Sequence, residues 1–302
     1  MRSQMRSDRP HIPMVICKEA AIAGGTAIRS RPTEQKIQTK AENIGRVHCI
    51  VTESDLKSQS IVLEIIKRAD PAAGLITEEK GETCPGDYLT MPGSNGCYII
   101  DPLDGTSTYA SGLYEWSVSV GFVDKNLKHT AGAIFAPEIY NGTLFYGSSS
   151  NGSFMEDIGS RFKTRIKVRS TTKLKGAYIL VGPDCLLPNY PAHNKLVLGL
   201  AKSARTTNIS GSCALALGLV AAGKADALVQ PLLSPWDYAA GRCIVEQAGG
   251  IHIFYEIKDN RIILVENLEP RHYNPEERAV GFVAGNRAIA EQIIEKLLRI
   301  EN

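Results

Sequence analysis

The fold is organised by one stretch of the chain, YIIDPLDGTST at residues 98–108. Its apolar run ends at a proline and a glycine, which predicts a buried strand that leaves its sheet at Pro102. We expect Asp101 and Asp104 to point into one cavity, where both carboxylates could share a hard cation. The amides of Gly105 and Thr106 open a following helix and form a seat for a phosphate.

Two carboxylates beside a phosphate seat require a cation between them and the phosphate, because like charges repel. With Mg²⁺ in that position, the stretch becomes a phosphoryl-transfer site. For this stretch alone, an acidic turn that caps a helix remains the alternative.

The length of 302 residues predicts one large domain or two closely packed ones. We expect an N-terminal half over 14–170 and a C-terminal half over 171–302, with residues 1–13 as a loose tail. A net charge of +2 gives no global sign of nucleic acid or a membrane surface as partner. No apolar window is long enough to span a bilayer.

The cysteines number seven and are scattered along the chain. An odd number, without Cys-x-x-Cys or Cys/His spacing, argues against a disulfide framework and against zinc. It favours a reducing compartment. Because Lys18 and Glu19 interrupt the first apolar stretch, a signal peptide is not expected, and we expect a cytoplasmic protein.

Apolar periodicity in the N-terminal half predicts helices at 14–31 and 55–69, and strands at 75–77, 98–101, 116–123, 130–135, 144–146 and 152–154. The strands at 116–123 and 130–135 form a hairpin. Residues 80–96 predict a loop, because they are rich in Gly and Pro and have no period. Asp55 is also a candidate N-cap of the second helix, and that alternative stays open.

The C-terminal half predicts strands at 177–182, 206–210, 225–229, 252–255, 261–264 and 281–284, and helices at 194–203, 214–222, 238–247 and 288–300. Between the halves, residues 161–169 alternate strictly and place every basic side chain on one face of a strand. A solvated edge strand explains this pattern. A stripe that binds a polyanion is the alternative.

The acidic residues at element ends form a second pattern. Glu78 and Glu79 end a strand, Asp101 and Asp104 follow the central strand, and Asp237 begins a helix. Together they provide only oxygen ligands, which suit Mg²⁺ or Mn²⁺ rather than zinc or copper.

Four segments resemble the signature motifs of the inositol monophosphatase family, whose members are Mg²⁺-dependent, lithium-sensitive phosphatases. They are VTESD at 51–55, ITEE at 76–79, DPLDGT at 101–106 and WDYAAG at 236–241. Their order and spacing match that family over nearly the whole chain, and the combination is very specific.

The resemblance implies two or three Mg²⁺ ions, with Mn²⁺ as a substitute. Glu78, Asp101 and the Leu103 carbonyl would hold the first ion. Asp101, Asp104 and Asp237 would hold the second, and Glu78 would help to place a third, looser ion.

The resemblance also implies the catalytic groups. Thr106, oriented by Asp55, would position the attacking water, which the metal activates, and Glu78 is the third residue implied to be catalytic. The residues implied to bind the substrate and its phosphate are Asp104, Gly105, Thr106, Gly211, Ser212, Cys213, Gln230 and Asp237. For Gly211, a tight turn from strand to helix is the alternative explanation.

Three departures from the family pattern bear on the substrate. Gln230 stands where inositol-specific members place a Glu that binds sugar hydroxyls. Thr108 and Tyr109 replace a frequent Asn-Phe pair, and His48 stands where a conventional member has an Asp. The metal ligands are intact, so the departures concern the preference for inositol.

The resemblance implies an α/β (α+β) fold, a layered αβαβα sandwich of the sugar-phosphatase type, and a homodimer. The function it implies is Mg²⁺-dependent hydrolysis of a phosphate monoester of a small polyol or sugar. The alternatives are a 3′(2′),5′-bisphosphate nucleotidase, a histidinol-phosphate phosphatase, and a regulatory homologue that binds RNA or protein. The complete set of carboxylates argues against the regulatory homologue, and we do not expect nucleic acid as a partner.

Overall fold

The computed structural model describes residues 11–31, 37–39, 50–79, 96–186, 190–259, 261–274 and 280–300. Most of the predicted loop over 80–96, together with His48, lies outside these residues. So do residues 1–10 of the predicted tail. Ile12 and Pro13, however, belong to the first helix, so the tail prediction is wrong for these two residues. Proline fits the first turn of a helix, because its missing N–H would be unpaired there.

The helices of the described residues are α1 Ile12–Ile28, α2 Glu53–Ala69, α3 Thr106–Ala110, α4 Pro191–Ser203, α5 Cys213–Ala221, α6 Pro235–Gln247 and α7 Arg287–Ile300. The predicted helices are confirmed, with shifted ends. Helix α6 begins at Pro235 instead of Tyr238, because Ser234 and Asp237 form a capping box that starts the helix earlier. Within the part of the chain described, every helix is too short or too polar to cross a membrane.

The first large sheet contains β3 Gly74–Thr77, β4 Cys97–Asp104, β5 Ser117–Val123, β6 His129–Ala136, β7 Thr143–Ser148, β8 Gly152–Asp157 and β9 Phe162–Arg165. The strands lie in chain order across the sheet. Only β3 and β4 pair in parallel, and all other pairs are antiparallel. A separate antiparallel pair joins β1 Ile37–Thr39 to β2 Ile50–Thr52.

The second large sheet contains β10 Tyr178–Val181, β11 Thr206–Ile209, β12 Ala227–Leu233, β13 Ile251–Lys258, β14 Arg261–Val265 and β15 Val280–Gly285. Its strand order is β11-β10-β12-β15-β13-β14. Strand β10 pairs in parallel with both neighbours, and the other pairs are antiparallel. The predicted mixed sheet is confirmed.

The elements stack in five layers. Helices α1 and α2 pack on one face of the first sheet, and α5 and α6 lie between the two sheets. Helices α4 and α7 pack together, with α7 against β13 and β15 of the second sheet. The predicted αβαβα sandwich is confirmed.

Strand β4 does not leave the sheet at Pro102, as the sequence predicted, but continues to Asp104. It pairs Asp101 with Ser119 and Asp104 with Ser117 of β5, so β4 carries one extra residue between these pairs. A bulge tolerates a proline, because the extra residue is not part of the hydrogen-bond ladder. Residues three apart in a regular strand face opposite sides, and the bulge brings both carboxylates to one side.

The basic segment 161–169 is only partly a strand. Strand β9 covers Phe162–Arg165 at the edge of the first sheet, as an edge strand was expected to do. Beyond it the chain turns away, and the Val168 amide donates to the Ala248 carbonyl at the end of α6. Phe162 is 67% exposed, whereas Ile166 is buried and Val168 packs against the core, so only the later part of the alternating apolar face is buried.

Candidate metal and phosphate site

The three central carboxylates meet between the two sheets. Asp101 and Asp104 are 2% and 7% exposed. Together with Asp237 from α6, each offers an oxygen within 4.8 Å of the other two. The site therefore joins the bulge of β4 to the first turn of a helix that the second half of the chain supplies.

Asp237 is held by its own helix. Its Oδ2 accepts the Ser234 amide at 2.7 Å, which completes the capping box of α6. Only one of the two carboxylate oxygens is needed for this bond. The capping interaction fixes the side chain while the other oxygen remains able to contact a cation.

Asp104 is held by the N-terminus of α5. Its Oδ2 accepts the Ser212 hydroxyl at 2.5 Å and the Ala214 amide at 2.6 Å, and its Oδ1 accepts the Cys213 amide at 3.2 Å. The family resemblance implied that Ser212 and Cys213 contact the substrate. In the structure they contact Asp104, and their contact with a substrate stays a prediction.

Asp55 makes two kinds of contact at once. Its Oδ2 accepts the Thr52 amide at 2.8 Å and the Thr52 hydroxyl at 2.6 Å, which caps α2. Its Oδ1 accepts the Thr106 hydroxyl at 3.0 Å. The N-cap is Thr52 rather than Asp55, because Asp55 occupies the third helical position of a capping box. The prediction that Asp55 is the N-cap is therefore wrong, although Asp55 does take part in capping α2 while its other oxygen contacts Thr106.

The turn after β4 depends on Gly105, whose φ of 90° favours glycine. A Cβ at this position would lie 2.9 Å from the Glu115 carbonyl oxygen and 3.2 Å from that of Gly211. Helix α3 then starts at Thr106, whose hydroxyl also lies 3.0 Å from the Leu103 carbonyl oxygen. Since α3 has only five residues, its dipole is small, and the amides themselves would have to bind a phosphate.

Glu78 follows β3 beside the central strand, and its amide donates to the Ile100 carbonyl. A side chain of α2 hydrogen-bonds to the backbone of the next residue, Glu79. The Gln59 side chain donates to the Glu79 carbonyl at 2.8 Å and accepts the Glu79 amide at 3.1 Å. Sequence reasoning missed Gln59, because a glutamine within a helix carries no signal for a contact with a distant strand end.

Crowding of carboxylates governs the electrostatics of the site. Burial raises the pKa of Asp101 well above its usual value, and the charges of Glu78, Asp104 and Asp237 raise it further. Burial, with the charges of Asp104 and Glu78, also raises the pKa of Asp237. Burial raises the pKa of Asp104 to about 6, although its three hydrogen bonds from α5 oppose this change. A cation would offset this repulsion.

A cavity of about 90 Å³ opens beside the carboxylates. Its lining residues are Asp104, Gly182, Pro183, Asp184, Ser210, Gly211, Ser212, Cys213, Leu228, Gln230 and Asp237. It thus contains every substrate residue predicted from the second half. Asp184 was not predicted, since an isolated aspartate after a strand carries no motif.

Gly211 lies in the short connection between β11 and α5, where the alternative explanation expected a tight turn from strand to helix. Its φ is not positive, but a Cβ there would lie 2.1 Å from the Thr108 hydroxyl. A side chain would therefore push the loop before α5 away from α3. The glycine allows the two halves to approach each other at the site.

A model of the inositol monophosphatase family matches residues 12–301 of this chain. The chain belongs to the inositol monophosphatase family. Among curated relatives, an inositol-1-monophosphatase from Synechocystis sp. is 33% identical over 247 residues, which cover 80% of this chain and 78% of the relative. A Nus factor SuhB from Haemophilus influenzae is 29% identical over 78% of this chain and 82% of its own length.

Solved structures of family members have the same fold. The extragenic suppressor protein suhB from Bartonella henselae gives a TM-score of 0.73 at 25% identity, covering 94% of this chain and 97% of that one. An inositol monophosphatase from Anabaena gives a TM-score of 0.69 at 26% identity, covering 95% of each chain. Five cysteines fall within the described residues, and all five are free thiols.

Proposed function

We propose that the chain hydrolyses a phosphate monoester of a small polyol or sugar in an Mg²⁺-dependent reaction. Family membership supports a phosphatase in general. The observation that carries the finer proposal is the cluster of Asp101, Asp104 and Asp237. Two of these carboxylates, Asp104 and Asp237, line an open cavity where a phosphate ester could bind, and Thr106 follows Asp104 by two residues.

The residues fit divalent cations. All side-chain donors are carboxylates, they lie close together, and burial with mutual repulsion raises their pKa values. We propose Glu78, Asp101 and the Leu103 carbonyl for one Mg²⁺, and Asp101, Asp104 and Asp237 for a second. Glu78 would also contact a third, and Mn²⁺ would substitute. Bound cations supply charge neutralisation on the phosphate and acidify a water.

The protein's own groups orient the reactants. Because the Thr106 hydroxyl donates its proton to Asp55 in a hydrogen bond, its lone pairs are available to accept a hydrogen bond from the attacking water. Asp55 cannot swing away, since its other oxygen caps α2. The amides of Gly105 and Thr106 would hold the phosphate. Gly211, Ser212, Cys213 and Gln230 would contact the alcohol part.

The test is release of inorganic phosphate from a panel of esters, each with Mg²⁺ and with excess chelator. The panel contains inositol 1-phosphate, hexose phosphates, 3′-phosphoadenosine 5′-phosphate and histidinol phosphate. We expect turnover of a polyol or sugar phosphate, loss of activity with chelator, recovery with Mg²⁺ or Mn²⁺, and inhibition by the larger Ca²⁺. Full activity in excess chelator would contradict the proposal, and preference for the nucleotide or for histidinol phosphate would select an alternative.

A regulatory role remains the competing proposal, because relatives carry the name Nus factor SuhB. Its structural basis would be the basic segment 161–169. That segment offers no continuous free stripe: Lys163 lies over the ring of Phe154, and Arg169 pairs with the buried Asp226. We therefore favour the enzyme, and we further propose a homodimer in the cytoplasm.

A further inference from the structure

Asp184 and Gln230 form one wall of the cavity beside the carboxylate cluster. They are 8% and 6% exposed, so both are buried. The Gln230 amide nitrogen donates to Asp184 Oδ2 across 3.4 Å. Asp184 lies in the short helical turn Pro183–Leu186 that follows β10, and Gln230 lies on the adjacent β12.

The position of the Gln230 side chain depends on the absence of a side chain at Gly182. A Cβ at Gly182 would lie 1.0 Å from Gln230 Oε1, so only a glycine leaves room for the amide in this position. Among the described residues, none donates a hydrogen bond to Oε1 although the atom is buried. An unpartnered buried acceptor in a cavity wall favours a hydrogen-bond donor from a bound molecule.

The charges of the residues that line the cavity limit which molecules can bind there. None of the described residues that line the cavity is basic, whereas Asp184 adds a further carboxylate to the lining. The cations of the proposed site would compensate Asp101, Asp104 and Asp237, and Asp184 does not belong to this cluster of three carboxylates. A carboxylate accepts hydrogen bonds from hydroxyl groups and repels phosphate.

We propose that Asp184 is a specificity-determining residue that, together with Gln230, accepts hydrogen bonds from hydroxyls of the alcohol part and excludes a substrate with a second phosphate. The inference rests on the proposed phosphatase function. If it is correct, the site accepts polyol or sugar monophosphates and rejects sugar bisphosphates and nucleoside bisphosphates. The second phosphate of a bisphosphate would need a basic group in this part of the cavity.

The test compares fructose 1-phosphate with fructose 1,6-bisphosphate, which differ only in the distal phosphate. We expect the wild-type protein with Mg²⁺ to prefer the monophosphate by at least about tenfold in kcat/KM. Asp184→Asn keeps the shape and an acceptor but removes the charge. We expect this variant to reduce the ratio of kcat/KM for the monophosphate to that for the bisphosphate about tenfold, equivalent to about 1.4 kcal/mol. The change should come mainly from a lower KM for the bisphosphate.

A second variant and a control test whether the effect is specific to Asp184 and Gln230. Gly182→Ala should displace the Gln230 amide and raise KM for the monophosphate severalfold, with a smaller change in kcat. Glu266→Gln removes an exposed carboxylate just beyond β14 and should leave the preference unchanged. Equal use of both sugars by the wild type, or an unchanged preference in Asp184→Asn, overturns the inference.

Failure of the inference differs from failure of the proposed function. Phosphate release from p-nitrophenyl phosphate, but from neither sugar, overturns the inference alone. No Mg²⁺-dependent release from p-nitrophenyl phosphate or any sugar phosphate overturns the proposed function, and the inference with it.

Discussion

The Thr106 hydroxyl donates to Oδ1 of Asp55 across 3.0 Å, while Oδ2 of the same carboxylate caps α2. One side chain thus couples the start of a helix in the outer layer to the proposed water-orienting group. The rigidity of the capping box is transmitted directly to the site. Stability and activity are therefore expected to depend on different contacts of the same carboxylate.

Thr106→Val should lower kcat by about 100-fold or more while changing the free energy of unfolding little. The substitution removes the proposed water-orienting hydroxyl, and a misplaced reactant costs about 10²-fold in rate. Steady-state kinetics with Mg²⁺ and urea unfolding measure the two effects.

Thr52→Ala is the matched control for that variant. It removes the cap hydroxyl but keeps the contact between Asp55 and Thr106. We expect a loss of about 1 kcal/mol in the free energy of unfolding and a much smaller change in kcat than in Thr106→Val. Similar kcat losses in both variants would mean that Thr106 acts only by supporting the fold.

Asp101→Asn should lower kcat by several orders of magnitude, because it removes a charge from both proposed cation sites. In excess chelator, the Asp101→Asn variant should melt at the same temperature as the wild type or slightly higher. Burial and the charges of three neighbouring acids disfavour the ionised form of Asp101, and the substitution removes this cost. The rise in Tm on adding Mg²⁺ should shrink as affinity falls. Thermal unfolding with chelator and with Mg²⁺ tests this. An effect on substrate ranking alone would refute the assignment.

Gln230→Glu should change the ranking of inositol and sugar phosphates and leave metal affinity nearly intact. One hydrogen bond to a hydroxyl is worth about 0.5–1.5 kcal/mol, and up to about 3 when the partner is charged. The Gln230 amide donates to Asp184, so the variant also places two carboxylates side by side. Relative kcat/KM values across the panel give the readout. Equal loss for all substrates would place Gln230 in the catalytic machinery instead.

His129 should make the protein sensitive to acid. It lies in the core, with its ring nitrogens 3.0 Å from the Ala239 carbonyl oxygen and 2.9 Å from the Tyr273 hydroxyl. Burial, followed by the charge of Arg242, lowers the pKa of His129 to about 3. The unfolded chain has a value of about 6.5. The stability that neutral His129 contributes is therefore complete above pH about 6.5 and is lost as pH falls towards 3.

Urea unfolding at pH 7 and pH 5 in excess chelator tests this contribution. For a pKa lowered this far, the wild-type protein should lose about 2 kcal/mol more than His129→Gln between the two pH values. The other titrating groups are common to both proteins and cancel in the comparison. An equal pH dependence in wild type and variant would show that His129 does not titrate in this range.

Local patterns were sufficient for much of the fold. The hairpin of β5 and β6 and the amphipathic α7 were predicted from periodicity, because their apolar faces follow from regular spacing along the chain. Cap positions were less predictable. Thr52 rather than Asp55 is the N-cap of α2, and α6 begins at Pro235, since side-chain bonds that periodicity does not report decide helix starts.

By itself, the sequence determined the family, because the order and spacing of four short motifs carry the resemblance. That resemblance then implied the layered fold and a shared site for Asp101, Asp104 and Asp237, which the structure brings together. Only the tertiary structure decided how the site is held together. The bulge in β4 turns Asp101 and Asp104 to one side, Ser212 contacts Asp104 from 108 residues away, and Asp184 joins Gln230 in the cavity wall. Such contacts arise from the packing of distant elements, which no local pattern encodes.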